Sequence, residues 1–353
     1  MTDTARTTIE AEYEDDGVPL SLRGNLAPLS WTTSTASSRR QGPRTIFEVD
    51  LPPGELLEFK VLRGDAWSRE RNYTVACGES RVVRPWFGRD EGRFEPKRSL
   101  FADRLGREVE FEVFLPPSYD EHPSRRYPTL YAQDGHVVFS TGGDDMGPGW
   151  GIDHTLNELY GLAAVEEVIV VAITTREGRV EMLSPSADPK HGGGRAADFL
   201  AFLVDTLKPW IDRTYRTLPG FADTALLGSS MGGLFSFYAA WTRSDVFGKA
   251  ACLSSSFWWN DRWMIREVRA GGCPVPRPLL YIDSGAAKSS FEEDANRRDG
   301  YEHTVAMRAA LVGHCYDPGK HLHTLAFAGQ SHDAGSWGAR VATPLQLLFP
   351  REA

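Results

Sequence analysis

The chain has 353 residues, a net charge of -9, 41% hydrophobic and 25% charged residues, ordinary values for a globular protein with room for about two domains. The acidic balance argues against nucleic acid or an anionic membrane as partner, and no apolar run is long enough to span a bilayer. Residues 1–10 are polar and lack the apolar segment of a signal peptide, and Cys77, Cys252, Cys273 and Cys315 show neither paired nor metal-like spacing. A cytoplasmic protein with free thiols, no metal and no cofactor is therefore expected.

In chain order, residues 1–14 read as a disordered tail. Residues 15–95 carry short alternating runs such as Thr45–Val49 and Leu56–Val61, separated by Pro-Pro-Gly and Arg-Gly-Asp turns, the pattern of a small all-β, immunoglobulin-like sandwich. The texture changes near Pro85-Trp86-Phe87. Residues 96–353 alternate strands (Val109–Leu115, Tyr127–Ala132, the fully apolar Val168–Ile173) with helical spacing, as over Phe199–Trp210. That alternation predicts a mostly parallel sheet flanked by helices, an α/β fold.

The strand-like Thr224-Ala225-Leu226-Leu227 enters Gly228-Ser229-Ser230-Met231-Gly232 and leaves as the apolar, helix-like Leu234–Ala240. This is the context of a nucleophile elbow with Ser230 at its tip. Glycines are needed there because side chains at 228 and 232 would collide with neighbouring backbone. The helix N-terminus behind the turn offers the Met231 N–H to an oxyanion. After the strand-like Leu322–Phe327 and the small-residue loop Ala328–Ser331 comes His332, placed for the general base. His321 and His323 lack a third neighbour for a metal site, and His136 and His154 precede the nucleophile. The acid belongs after the buried strand Pro278–Asp283, a region crowded with Asp283, Glu292, Glu293, Asp294, Asp299 and Glu302. The residues alone leave it open.

Phe114-Leu115-Pro116-Pro117-Ser118-Tyr119-Asp120, Gln133-Asp134-Gly135-His136, Arg179-Val180-Glu181, the Gly228–Gly233 elbow, Ser254–Trp259 and His332 with Trp337 and Arg340 together resemble the putative-esterase family of α/β-hydrolases. That family includes siderophore (enterochelin) esterases, S-formylglutathione hydrolases, feruloyl esterases and mycolyltransferases. The resemblance spans residues 105 to 350. It implies the α/β-hydrolase fold, a Ser230–His332–Asp299 triad with Asp283 as second choice for the acid, and a second oxyanion N–H from His136. It also implies substrate contacts from Asp134, Gly135, Trp150, Trp258 and Trp259. Of two adjacent tryptophans, one ring is expected in the core. In the first domain, Leu22–Asn25, Leu29–Trp31 and Glu58–Trp67 resemble starch- and glycogen-binding modules and the domain that precedes siderophore esterases. Trp31 and Trp67 are read there as either core residues or a stacking platform.

The expected activity is hydrolysis of a carboxylic ester with a bulky or aromatic acyl group, or of a siderophore-type lactone, through an acyl-enzyme. Acyl transfer or macrolactone formation on the same triad, and a catalytically inactive carbohydrate-binding protein, stand as alternatives. The expected partner is a small-molecule ester; the oligomeric state is left open, a dimer included.

Overall fold

The computed structural model describes residues 4–14, 16–144, 147–286 and 299–351. The candidate acids Glu292, Glu293 and Asp294 lie outside the described residues. Two antiparallel-rich sheets form the first part of the chain. One has the strand order Arg39–Gln41, Arg44–Leu51, Ala5–Glu12, Ser80–Val83; the other runs Thr35–Ala36, Leu20–Gly24, Leu56–Arg63, Ala66–Trp67, with Tyr73–Ala76 also paired to Leu56–Arg63. Their inward residues, among them Ile9, Leu22, Phe47, Phe59 and Val61, make one small core.

The expectation of a disordered tail over residues 1–14 is corrected here. Ala5–Glu12 is a central strand, antiparallel to Arg44–Leu51 and parallel to Ser80–Val83. Thr7, Ile9 and Ala11 point inward and are fully buried. Two of those three side chains are small or polar, so the period-two alternation of a strand is muted in the sequence.

The second part is a nine-stranded sheet in the order Arg93–Phe94, Arg107–Leu115, Ile169–Ile173, Thr129–Gln133, Thr224–Ser229, Lys249–Leu253, Leu279–Gly285, Leu322–Phe327, with Arg98–Ala102 paired to Arg107–Leu115. Arg107–Leu115 is antiparallel to Ile169–Ile173, and from there to Leu322–Phe327 every pair is parallel. Both faces are covered, which explains strands without polar alternation. One face packs on Phe199, Leu203, Phe235 and Phe237; the other packs on Ile152, Leu156, Leu345 and Leu348. This is an α/β-hydrolase fold preceded by a β-sandwich. After Thr129–Gln133 the chain adds a strand on one side of it and then returns to add Thr224–Ser229 on the other. Such a reversal opens a crevice at the carboxyl ends of the strands, where ligands bind in open α/β sheets.

The reading of all four cysteines as thiols is also corrected, because Cys273 and Cys315 form a disulfide, while Cys77 and Cys252 are free. The bond joins the segment after the Trp259–Ala270 helix to the turn that follows Tyr301–Val312. The two positions are 42 residues apart and carry no local motif. Disulfides mark oxidising compartments, so the thiol argument for a cytoplasmic location loses its support. Among the described residues no helix is long and apolar enough to cross a membrane.

Polar contacts join the two parts. Glu121 accepts hydrogen bonds from the Tyr13 hydroxyl (3.1 Å) and from the N–H groups of Phe87 (2.8 Å) and Gly88. Arg71 N–H donates to the Gly161 carbonyl at 2.7 Å. Glu70 is fully buried close to this seam, with Arg351 Nη2 3.6 Å away. Burial outweighs the nearby Arg351 and Lys60 charges and pushes the Glu70 carboxyl up to about 8. In the unfolded chain the group loses its proton near 4.5, so between these values the folded state holds the extra proton and stability falls as pH rises. Glu70→Gln removes this contribution. Its unfolding midpoint in denaturant should gain on that of the parent protein steadily from about pH 5 to about pH 8, the window set by the Glu70 shift. A constant offset across that range would contradict the assignment.

Candidate active site

The elbow is shaped by sterics. A Cβ on Gly228 would lie 2.4 Å from the carbonyl of Gly232, and one on Gly233 would lie 2.4 Å from Ser255 Oγ. Between them Ser230 is forced to φ 55°, ψ -120°, a strained conformation for a residue with a side chain, at the start of the helix Met231–Thr242. Ser230 N–H donates to the Leu253 carbonyl (2.9 Å) and Ser256 N–H donates to the Ser230 carbonyl (3.0 Å), which pins the turn from both sides.

Ser230 Oγ lies 2.9 Å from His332 Nε2, and His332 Nδ1 lies 2.5 Å from Asp299 Oδ1. A carboxylate only accepts, so the proton sits on Nδ1 and the Nε2 lone pair accepts from the serine hydroxyl. Asp299 is fully buried, in a left-handed turn (φ 48°) beside Gly300 (φ 69°) just before the helix Tyr301–Val312. His332 is held edge-on by Trp337, with ring centroids 5.0 Å apart. Trp337 belongs to the helix Ala334–Arg340, which Asp333 caps by accepting from Ser336 N–H at 2.7 Å.

Asp283, the other candidate acid, sits elsewhere in the same polar cluster. Its oxygens accept from Arg340 Nε and Nη2 (both 3.1 Å), from the Tyr281 hydroxyl (2.8 Å) and from Ser254 N–H (3.1 Å). Burial pushes this carboxyl up from its ordinary range, and those donors oppose the push by favouring the charged form. It makes no hydrogen bond to His332 among the described residues.

Met231 is the first and His136 the second residue of its helix, so neither N–H has an intrahelical acceptor. The His136 imidazole is partly buried, and burial lowers its proton affinity. The Asp134 carboxylate, read from the resemblance as a substrate contact, is engaged by other side chains of the protein. It is buried, Arg179 grips both its oxygens at 2.7 Å, and the Thr175 hydroxyl donates to it. Burial works against the Asp134 charge, but Arg179 dominates and holds the carboxyl below its ordinary range. The pair braces the elbow, since a Cβ on Gly232 would lie 3.0 Å from Asp134 Oδ2. Gly135 likewise packs on backbone, 2.6 Å from the Ala172 carbonyl carbon measured from a notional Cβ.

The tryptophans divide by burial. Trp150 is buried against Trp337, at 5.7 Å between rings, and so backs the wall behind His332. Trp259 is buried and donates from Nε1 to the Ser186 carbonyl at 2.8 Å. Trp258 is 40% exposed and is the one of the three with a ring open to solvent. On the sandwich, Trp31 and Trp67 stack at 6.4 Å with Arg23 over Trp67. Trp67 is 41% exposed, so the pair forms a surface feature and not core. The motifs named in the sequence include Ser254 and Arg340 but give neither a role, because nothing in their local sequence marks them as neighbours of residues 283 and 299.

Comparison with known proteins follows this geometry. A siderophore enterobactin esterase of Emericella nidulans is 36% identical over 88 residues, 24% of this chain and 28% of that protein. The ferri-bacillibactin esterase BesA of Bacillus subtilis is 26% identical over 176 residues, 45% of this chain and 57% of its own. Across the curated relatives compared, the chain spans between 28% and 63% of their length. Among solved structures, an IroE-like serine hydrolase from Shewanella oneidensis matches with a TM-score of 0.58 and 21% identity, covering 73% of this chain and 80% of that one. The enterobactin esterase FES from Shigella flexneri matches with a TM-score of 0.56 and 14% identity over 97% of this chain and 92% of its own, so the likeness in fold extends through the sandwich. The family model described as "Putative esterase" matches residues 102–340, well over half of the chain, and the protein belongs to that family.

Proposed function

We propose that the protein is a serine hydrolase that cleaves a carboxylic ester through an acyl-enzyme, with Ser230 as nucleophile, His332 as base and Asp299 as acid. The observation that carries this reading is the unbroken line from Ser230 Oγ through His332 to a buried Asp299, on a strained elbow. His332 Nε2 takes the hydroxyl proton as Ser230 Oγ bonds to the acyl carbon, and the carbonyl electron pair moves onto oxygen. The backbone N–H groups of Met231 and His136 receive that oxyanion. As the C–O bond to the leaving alcohol breaks, the imidazolium returns the proton to it. Water then repeats the sequence against the acyl-enzyme and frees the acid.

The substrate class we propose is an ester with a bulky or aromatic acyl group, or a siderophore-type lactone. The relatives named as siderophore esterases support it, as does the exposed ring of Trp258 on the segment that follows Ser256. Hydrolysis of an ester needs no metal or cofactor in this mechanism.

Ser230→Ala should abolish covalent labelling by a fluorophosphonate probe and lower kcat on an aryl ester by several orders of magnitude, since oxyanion stabilisation and binding alone remain. Full turnover by the folded variant would refute the nucleophile. Asp299→Asn should cut kcat by up to about 10⁴ with little change in KM, because the imidazole loses its correct tautomer. A loss below tenfold, with an unchanged melting temperature, would remove Asp299 from the role.

A further inference from the structure

Four buried polar side chains behind the triad take no part in the chemistry above: Ser254, Asp283, Trp337 and Arg340. Ser254 Oγ lies at their centre, 2.5 Å from Asp299 Oδ2, 2.6 Å from Arg340 Nη2 and 3.0 Å from Trp337 Nε1. Guanidinium and indole nitrogens can only donate. Both lone pairs of the hydroxyl are therefore filled by Arg340 and Trp337, and its single proton goes to Asp299. That direction follows from the chemistry of the partners alone.

Asp299 Oδ2 also accepts from Gly285 N–H at 2.5 Å. With two donors on Oδ2, the remaining oxygen, Oδ1, faces His332. Arg340 matters for a second reason. Its Nη2 is 3.8 Å from Asp299 Oδ2, close enough to compete with His332 for the acid. The guanidinium is instead engaged by Asp283, by Gln330 Oε1 (2.8 Å) and by Ser254 Oγ. The cluster thus holds two carboxylates against one guanidinium, and the missing positive charge is the one His332 acquires when it takes the serine proton.

We propose that Ser254 is a positioning residue that spaces Asp299 from Arg340, so that the carboxylate stays directed at His332 and does not close from 3.8 Å into a hydrogen-bonded pair with the arginine. This rests on the Ser230–His332–Asp299 reading. Without the hydroxyl, Arg340 Nη2 loses an acceptor and pulls Asp299 Oδ2 toward it, and the imidazolium loses part of its stabilisation. The charged and titratable groups of the cluster behind His332 are Asp299 from the turn before Tyr301, Asp283 and Tyr281 from the strand Leu279–Gly285, and Arg340 from the helix that follows His332, with Asp333 capping that helix. Among the described residues only Asp299 of these is hydrogen-bonded to the ring.

The test is steady-state kinetics of full-length Ser254→Ala and Ser254→Cys on an aryl ester across pH, with melting curves and the rate of fluorophosphonate labelling. Ser254→Ala should lower kcat about 10- to 100-fold, the worth of a hydrogen bond to a charged group, with KM little changed. The ascending limb of kcat/KM should move to lower pH, because a less stabilised imidazolium gives up its proton sooner. Labelling of Ser230 should slow in parallel. Ser254→Cys, which keeps a weak donor without β-branching at this left-handed position (φ 43°), should recover part of kcat and of the pH limb. An unmoved limb in both variants, with kcat falling only as far as melting temperature does, would overturn the positioning role. If Ser230→Ala still labels, it is the underlying triad reading that fails.

Discussion

The geometry of the site depends on a single guanidinium. Asp283 and Asp299 are both without solvent contact, and burying two carboxylates side by side is tolerable only where each finds full compensation. Arg340, itself buried, answers Asp283 through two hydrogen bonds and reaches Asp299 by hydrogen bonding through Ser254 and by a longer 3.8 Å ion-pair contact. One aspartate is thereby neutralised permanently, and the other is left with one oxygen for His332. Because Arg340 sits on the helix that begins just after His332, the same short segment supplies the proposed base, the Trp337 ring that holds it and the charge beside the proposed acid, Asp299.

The rest of the fold delivers these groups to one edge. Asp134, Ser230, Ser254, Gly285 and His332 all stand at or just beyond the carboxyl ends of neighbouring parallel strands. The Asp134–Arg179 pair buttresses the elbow from the opposite side to Arg340. Two arginine–aspartate pairs therefore flank Ser230, a half-buried one with the Arg179 side chain 32% exposed under the turn at Asp134, and a fully buried one beside Asp299. Breaking the Arg340–Asp283 pair would leave an uncompensated buried charge, a loss of about 3–5 kcal/mol, and breaking the Asp134–Arg179 pair would cost less because solvent reaches Arg179.

Much of this was legible in the sequence wherever the chemistry is local. An elbow needs strand, glycines, serine and helix in one contiguous run, so Ser230 and Met231 stand out, and His332 follows a recognisable strand and loop. The acid was not fixed by the residues themselves, because it is chosen by which of many carboxylates folds back onto a ring 33 positions away. Ser254 and Arg340 stood in motifs that carry the family resemblance, but their contacts were illegible for the same reason: the partners come from separate segments. Burial decided the tryptophans. Of the adjacent pair one ring, Trp259, is in the core as the doublet led one to expect, while Trp258 stays open; Trp150 is drawn inward by a contact with Trp337 that no local pattern announces. The Ala5–Glu12 strand went unread because threonine and alanine fill two of its three inward positions.

The ordering of His332 by Asp299 is the claim on which nucleophile, base and acid all rest, and imidazole NMR on histidine-labelled protein tests it most directly. Above the pH at which the ring loses its second proton, His332 should carry its remaining proton on Nδ1, strongly deshielded by Asp299, with Nε2 bare. Asp299→Asn should abolish that signature. A native protein whose His332 holds its proton on Nε2, or whose Nδ1 proton is unaffected by Asp299→Asn, would contradict the arrangement.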